Sequence, residues 1–385
     1  MKAASASRNA YIDTLRGVSI LGVVCVHFAG SFVTTDIHAW SPSFFLGLVL
    51  NQGANFAVPL FVFLSGLLAG LSRSSPGLWT YYSGRFWRIA FPYLIASAAA
   101  FFLLNHYTRW QALPGLQEKI VWLVQHVGFF GVEPTLYFIP LILQLYLLQP
   151  LLKQLPGWCA RLLPGITPTA SAAAITALLL ALHIWIGLKS YEGALNYYIW
   201  ARPNAAFWAF YFFLGLHFST LTSRLSRRVM LNIAGIAGLT AIAAMLWNFL
   251  QLTNPAVVGP NFEFNRLDFA YTRPELMIYD FAMIIALGAG VALGWSPRPT
   301  PFAYLGRYTL EIYLWHILVL YYGAWRFPVA LESCRKMPEL IVIICIAAAV
   351  LIAVTTDLLR RGIAFAKAHR IALITVPETP PRRSG

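Results

Sequence analysis

The sequence predicts an all-α fold, a polytopic membrane helix bundle of about ten transmembrane helices with both termini cytoplasmic. Three observations lead there. Only 11% of the 385 residues are charged while 59% are hydrophobic, against about 25% charged in a soluble domain. The apolar residues come in continuous runs of about 20, the length that carries a helix across the hydrocarbon core, and not in the alternation of a barrel strand. Lys and Arg are about twofold commoner in the segments that share the N-terminus's side of the membrane, and the acids lean the other way, which by the positive-inside rule places both ends in the cytoplasm. The formal charge of +14 is then a matter of topology, and no nucleic-acid partner is expected.

The runs fall at about 11–33, 44–71, 90–107, 134–152, 168–188, 203–221, 229–251, 275–295, 307–326 and 338–359. The first follows Lys2 and Arg8, lacks a small-residue cleavage site, and reads as a retained signal anchor. The stretch 119–131 is apolar but short, the signature of an interfacial or re-entrant segment. Residues 1–360 form one transmembrane domain, followed by a basic cytoplasmic tail, 361–385, that ends in PETPPRRSG and is expected to be largely disordered. Cys25, Cys159, Cys334 and Cys345 show no paired or ligand-like spacing, so neither a disulfide nor a metal is expected.

Candidate chemistry begins in the first run. Arg16 and His27 are eleven steps apart, about 16 Å along a helix and within about 20° of the same face. With Arg16 at one membrane surface, His27 lies deep in the bilayer, where a titratable ring marks either a functional site or a bond to a neighbouring helix. Arg85 and Arg88 stand one turn apart just before a span, suited to a phosphate clamp or to lipid headgroups. Glu133 sits at the outer rim ahead of Pro134, where it can orient His27, bind an acceptor hydroxyl or cap a helix. Glu311 and His316 lie within the 307–326 run, five positions apart and so on different faces; either can join the His27 cavity or bond a neighbouring helix. In 54–70, Pro59, Ser65 and Gly66 read mainly as close-packing residues. His106, His126, His183 and His217 fall near span ends and read as interfacial. The outer loops 189–203 and 252–274 mix aromatic rings with polar groups, a mixture common to sugar sites and membrane belts.

In order along the chain, Asp13-x-x-Arg16-Gly17 with ten residues between Arg16 and His27, VPLFVFLSGLL (58–68), Arg85-Phe-Trp-Arg88, LYFIPLILQLYLLQPLL (136–152) and LGRYTLEIYLWH (305–316) resemble the motifs of the acyltransferase 3 family of membrane O-acyltransferases. Tyr137 departs from the Trp of many members, and Glu133 belongs to a variant of a Glu-containing motif. The resemblance implies transfer of a short acyl group, commonly acetyl, from cytoplasmic acetyl-CoA, without a metal, to a hydroxyl of an extracytoplasmic glycan or lipid-linked saccharide at a bacterial inner membrane. On that reading His27, Arg16 and Glu133 are catalytic, Arg16, Arg85 and Arg88 hold the acyl-CoA, and Asp13, His316 and Glu311 serve substrate binding. Two other classes compete: a glycolipid transporter or flippase, which also accounts for intramembrane His and Arg but for which no inverted repeat is visible, and a non-catalytic scaffold of polysaccharide assembly, which has little need for Arg16 and His27 at matched phase.

Overall fold

The computed structural model describes residues 10–32, 42–72, 76–253, 270–295, 300–326, 329 and 338–374, which are helices and short connections without a strand. In order these are α1 (Ala10–Phe32), α2 (Pro42–Gln52), α3 (Ala57–Leu71), α4 (Leu78–Leu103, with a π-helical turn at Phe86–Ala90), α5 (His106–Gln111), α6 (Leu116–Gln125), α7 (Phe138–Leu162, entered through a 3-10 turn at Pro134–Tyr137), α8 (Pro168–Tyr191), α9 (Tyr197–Trp200), α10 (Ala205–Thr222), α11 (Arg227–Thr253), α12 (Pro274–Ala292), α13 (Pro301–Leu305), α14 (Thr309–Arg326) and α15 (Pro338–Ile374). Nine segments among the described residues are long and apolar enough to span a membrane. They answer to nine of the ten expected runs, and α14 occupies the place of the tenth. The chain is an integral membrane helix bundle.

Local chemistry sets several helix starts. The Thr167 hydroxyl accepts from the Ala170 N–H and the Thr300 hydroxyl from Ala303, both at 3.1 Å, with Pro168 and Pro301 opening the helices behind them. Asn204 caps α10 through the Ala206 N–H at 2.9 Å. The centre of the bundle is α10, on which Phe207, Trp208, Phe210, Phe212 and Phe213 are all buried. It crosses α3 at backbone contact: a Cβ on Gly66 would lie 2.0 Å from the Phe212 carbonyl oxygen, and one on Gly215 would lie 2.0 Å from that of Phe63. Lipid tails are as apolar as leucine, so close van der Waals approach through small residues is what joins such helices. Gly66 is therefore a packing residue, as its sequence setting suggests.

Three boundaries differ from the sequence reading. The 44–71 run is broken at 53–56, because the polar cluster Asn51-Gln52-Gly53-Ala54-Asn55 is bonded sideways to other helices. Asn55 Nδ2 donates to Asp280 Oδ2 at 3.2 Å, Asn248 Nδ2 donates to Gln52 Oε1 at 3.2 Å, and the Tyr279 hydroxyl donates to the Gly53 carbonyl at 2.7 Å. The third span starts at Leu78 rather than near 90, since its first turns carry the polar and basic residues that mask an apolar run. The expected tail is corrected as well: α15 runs on to Ile374, so 361–374 are helical, and 375–385 lie outside the described residues.

Candidate active site

The site is built where α1, α14 and the start of α7 meet. The α1–α13 contact comes first, because it sets the register of Arg16. A Cβ on Gly17 would fall 1.8 Å from the Phe302 carbonyl oxygen, and one on Gly306 would fall 1.9 Å from that of Asp13. Only a pair of glycines lets the two backbones touch. Arg16 is then delivered to the head of α14, where its Nη2 donates to Thr309 Oγ1 at 2.6 Å while Nη1 lies 3.7 Å from Asp13 Oδ1. Asp13, 5% exposed, is thus placed on Arg16.

From that common end α1 and α14 run in the same sense, and eleven residues on α1 and seven on α14 bring His27 and His316 together. Their rings stack with centroids 5.4 Å apart and 26° between planes. His316 is fully buried. Its Nδ1 faces the Tyr313 carbonyl at 2.7 Å and the Ile312 carbonyl at 3.2 Å. A carbonyl only accepts, so the ring proton resides on Nδ1 and the lone pair on Nε2. That Nε2 is buried without a hydrogen-bond partner. His27 and His316 are therefore brought together as candidates for one chamber.

Below them lies a cavity of about 330 Å³ lined by Arg16, Arg85 and Arg88 together with Ser65, Tyr146 and Tyr313. The three arginines named for acyl-CoA thus converge on one space. Arg85 stacks on Tyr81 and Tyr146, with its guanidinium carbon 4.4 and 4.7 Å from the ring centroids, whereas Arg88 is exposed at the rim. His27 is not among the lining residues. Tyr313 belongs to both places: it lines the cavity, and its ring lies 5.8 Å from that of His316. The Tyr313 hydroxyl donates to the Thr135 carbonyl and accepts from the Phe138 N–H at 3.3 Å, which ties α14 to the head of α7.

Glu133 is not directed at His27. It stands at the N-cap position of the 3-10 turn without capping it, and its Oε2 meets His106 Nε2 at 2.9 Å, both residues being buried. A catalytic contact with His27 and a capping role both give way to this pairing, because α5 folds His106 over the loop. His106, read as interfacial from its position near a span end, is in fact the buried partner. Glu311 is likewise not brought to the histidines. It points from the first turn of α14 to Arg360 of α15, beside a hydrogen bond from the Tyr308 hydroxyl to Asp357 at 2.6 Å. His183 is buried too, between the Phe207 carbonyl and the Tyr211 hydroxyl.

Arg202 is the functional candidate that sequence reasoning passed over. Its backbone is pinned by the Trp208 indole, which donates to the Ala201 and Arg202 carbonyls at 2.9 and 3.0 Å. Gln144, an amide inside a span, donates to the Pro203 carbonyl at 3.0 Å and accepts from the Ala205 N–H at 3.3 Å. The side chain donates from Nη2 to the Pro134 carbonyl at 2.8 Å and lies 4.5 Å over the Tyr137 ring. Pro134 adjoins Thr135, whose carbonyl takes the Tyr313 hydroxyl, so the loop that Arg202 holds is the one tied to α14. The nine residues from Tyr137 to Tyr146 span about 14 Å, so Arg202 and Arg85 lie over rings well separated along α7.

Fold and site together define a membrane-embedded helix bundle in which an arginine-lined cavity reaches Tyr313, beside a stacked pair of imidazoles, one buried and one half-buried. A family model described as an acyltransferase domain, that of acyltransferase 3, matches residues 9–358. The chain belongs to this family and is a membrane acyltransferase. No curated protein and no solved structure matches it.

Proposed function

We propose that this chain moves a short acyl group, acetyl in the simplest case, from cytoplasmic acetyl-CoA to a hydroxyl of an extracytoplasmic glycan or lipid-linked saccharide, across a bacterial inner membrane with both termini inside. The observation that carries the reading is the convergence of Arg16, Arg85 and Arg88 on one cavity whose inner wall, Tyr313, rests against His316. Guanidinium forks match the oxygens of phosphates, and three on one cavity suit the phosphates of the donor. The thioester then extends along α14 toward the histidines, and the acceptor hydroxyl enters from the Arg202 side.

His27 takes the hydroxyl proton as the oxygen attacks the thioester carbonyl carbon. The C–S bond breaks, the proton passes to the departing thiolate, and the products are the ester and free CoA. His316, with its proton held on Nδ1, offers a second acceptor at Nε2 and supports the His27 ring by stacking. Asp13 orients Arg16. Glu133 acts through His106 in positioning the loop ahead of α7.

Purified protein in nanodiscs, labelled acetyl-CoA and a hydroxyl acceptor test the proposal: an acyltransferase consumes the thioester and labels the acceptor, whereas a flippase or a scaffold leaves it intact. Replacing Arg85 and Arg88 together with Gln is expected to weaken acetyl-CoA binding about 100-fold or more, since each charge-assisted contact is worth roughly 1.5–3 kcal/mol. Titration calorimetry checks this, and an unchanged affinity would remove the phosphate clamp from the scheme.

A further inference from the structure

Four arginines among the described residues have an acidic partner. Arg16 lies by Asp13, Arg273 by Glu275, Arg360 by Glu311 and Arg361 by Asp357. Arg202 forms no ion pair among the described residues. The nearest acid along the chain segment it touches, Glu133, is already engaged by His106. Of the five N–H donors on a guanidinium, the Pro134 carbonyl takes one. Nor do the surrounding phenols supply a negative charge. Burial first, and then the neighbouring Tyr137 and Tyr197, hold the Tyr271 hydroxyl well above the usual phenol range, so it stays protonated. A half-buried guanidinium with no acidic partner and most of its N–H groups unused is suited to take an anion.

Two polar atoms nearby are also unsatisfied: Thr135 Oγ1, next to the Pro134 carbonyl that Arg202 holds, and His316 Nε2 are buried without a hydrogen-bond partner. Buried polar groups are normally bonded, and such an accumulation calls for a ligand that brings donors and acceptors of its own. Tyr137 and Tyr198, 4.5 and 5.9 Å from the guanidinium carbon, add ring faces of the kind on which sugars rest. The support from Trp208 and Gln144 holds Arg202 in place before any ligand binds, which lowers the ordering cost of binding.

We propose that Arg202 is the acceptor-side anion site of this enzyme, and that the acceptor is an acidic saccharide carrying a carboxylate or phosphate next to the hydroxyl that is acylated. The proposal rests on the acyl-transfer reading above and narrows its substrate class. The anion takes the free N–H groups of Arg202, which places the neighbouring hydroxyl toward His27.

The test compares methyl glucoside, methyl glucuronoside and glucose 1-phosphate as acceptors with labelled acetyl-CoA, in wild type, Arg202→Gln and Arg202→Lys. Direct binding of each sugar to His27→Ala protein serves as a readout independent of turnover. Wild type is expected to favour an anionic acceptor over the neutral one by at least about tenfold, and the favoured anion identifies the source as carboxylate or phosphate. Arg202→Gln should cut the ratio of kcat/KM for anionic over neutral sugar by roughly 10- to 100-fold, while Arg202→Lys, which keeps the charge and loses the fork, retains part of it. Equal use of the three sugars by wild type overturns the proposal and leaves acyl transfer standing. An equal loss for charged and neutral acceptors in Arg202→Gln also overturns it, since the guanidinium would then act on the reacting oxygen. If the thioester is consumed with no acceptor and no sugar binds, the acyl-transfer reading itself fails, and this one with it.

Discussion

His27→Ala is expected to lower acyl transfer by about a thousandfold, the middle of the range for loss of a positioned general base, while the protein inserts and accumulates as wild type does. The ring is half-buried, and its stacking contact with His316 is a small part of a bundle held by contacts such as α3 against α10. The two readouts should therefore separate. Thioester consumption and acceptor labelling report the chemistry, and size-exclusion chromatography of detergent-solubilised protein reports the fold. Near-normal transfer in this variant would remove His27 from the mechanism and shift attention to His316 Nε2.

The second large effect is structural in origin and functional in outcome. Gly17→Leu has no room, since even a Cβ would lie 1.8 Å from the Phe302 carbonyl oxygen and 2.6 Å from its carbon. The side chain must push α1 away from α13, which takes Arg16 off Thr309 and opens the cavity wall. Overpacking of this kind costs about 1–3 kcal/mol or more. Gly17→Leu is expected to be recovered in low yield with a reduced unfolding temperature, and Gly17→Ala to fold less stably with weakened acetyl-CoA binding. Gly238→Ala is the control, because a Cβ there meets nothing within 4 Å and alanine favours a helix. Equal stability of Gly17→Ala and Gly238→Ala would show that the α1–α13 approach is looser than described.

Features that depend on a single helix were legible in the sequence. The phase of Arg16 and His27, the retreat of charge from the spans and the crowding of small residues at Gly66 all follow from one periodicity. Features that depend on two distant segments were not. Nothing local announces that His106 meets Glu133 or that Arg202, in a short connection of irregular backbone, reaches Pro134 and Tyr137 at the head of α7. That Arg85 and Arg88 share a cavity with Arg16 is also a product of tertiary packing. Gln144 offered the one available signal for Arg202, since an amide inside a span must bond something, and its partner is the Pro203–Ala205 backbone. The break at 53–56 was hidden because so short a polar stretch hardly lowers the apolar average of the run around it.

The length of α15 bears on the lipid around the protein. Its 37 residues measure about 55 Å, against a hydrocarbon thickness of about 30 Å. From Pro338, the distance to Asp357 is about 29 Å, and there the Asp357–Tyr308 and Arg360–Glu311 contacts fasten α15 to the head of α14. That clasp stands at the same level as the Arg16–Thr309 mouth of the cavity. On the proposed reading, a bilayer thickness that shifts both contacts relative to the hydrocarbon would alter how readily the acyl donor reaches the cavity.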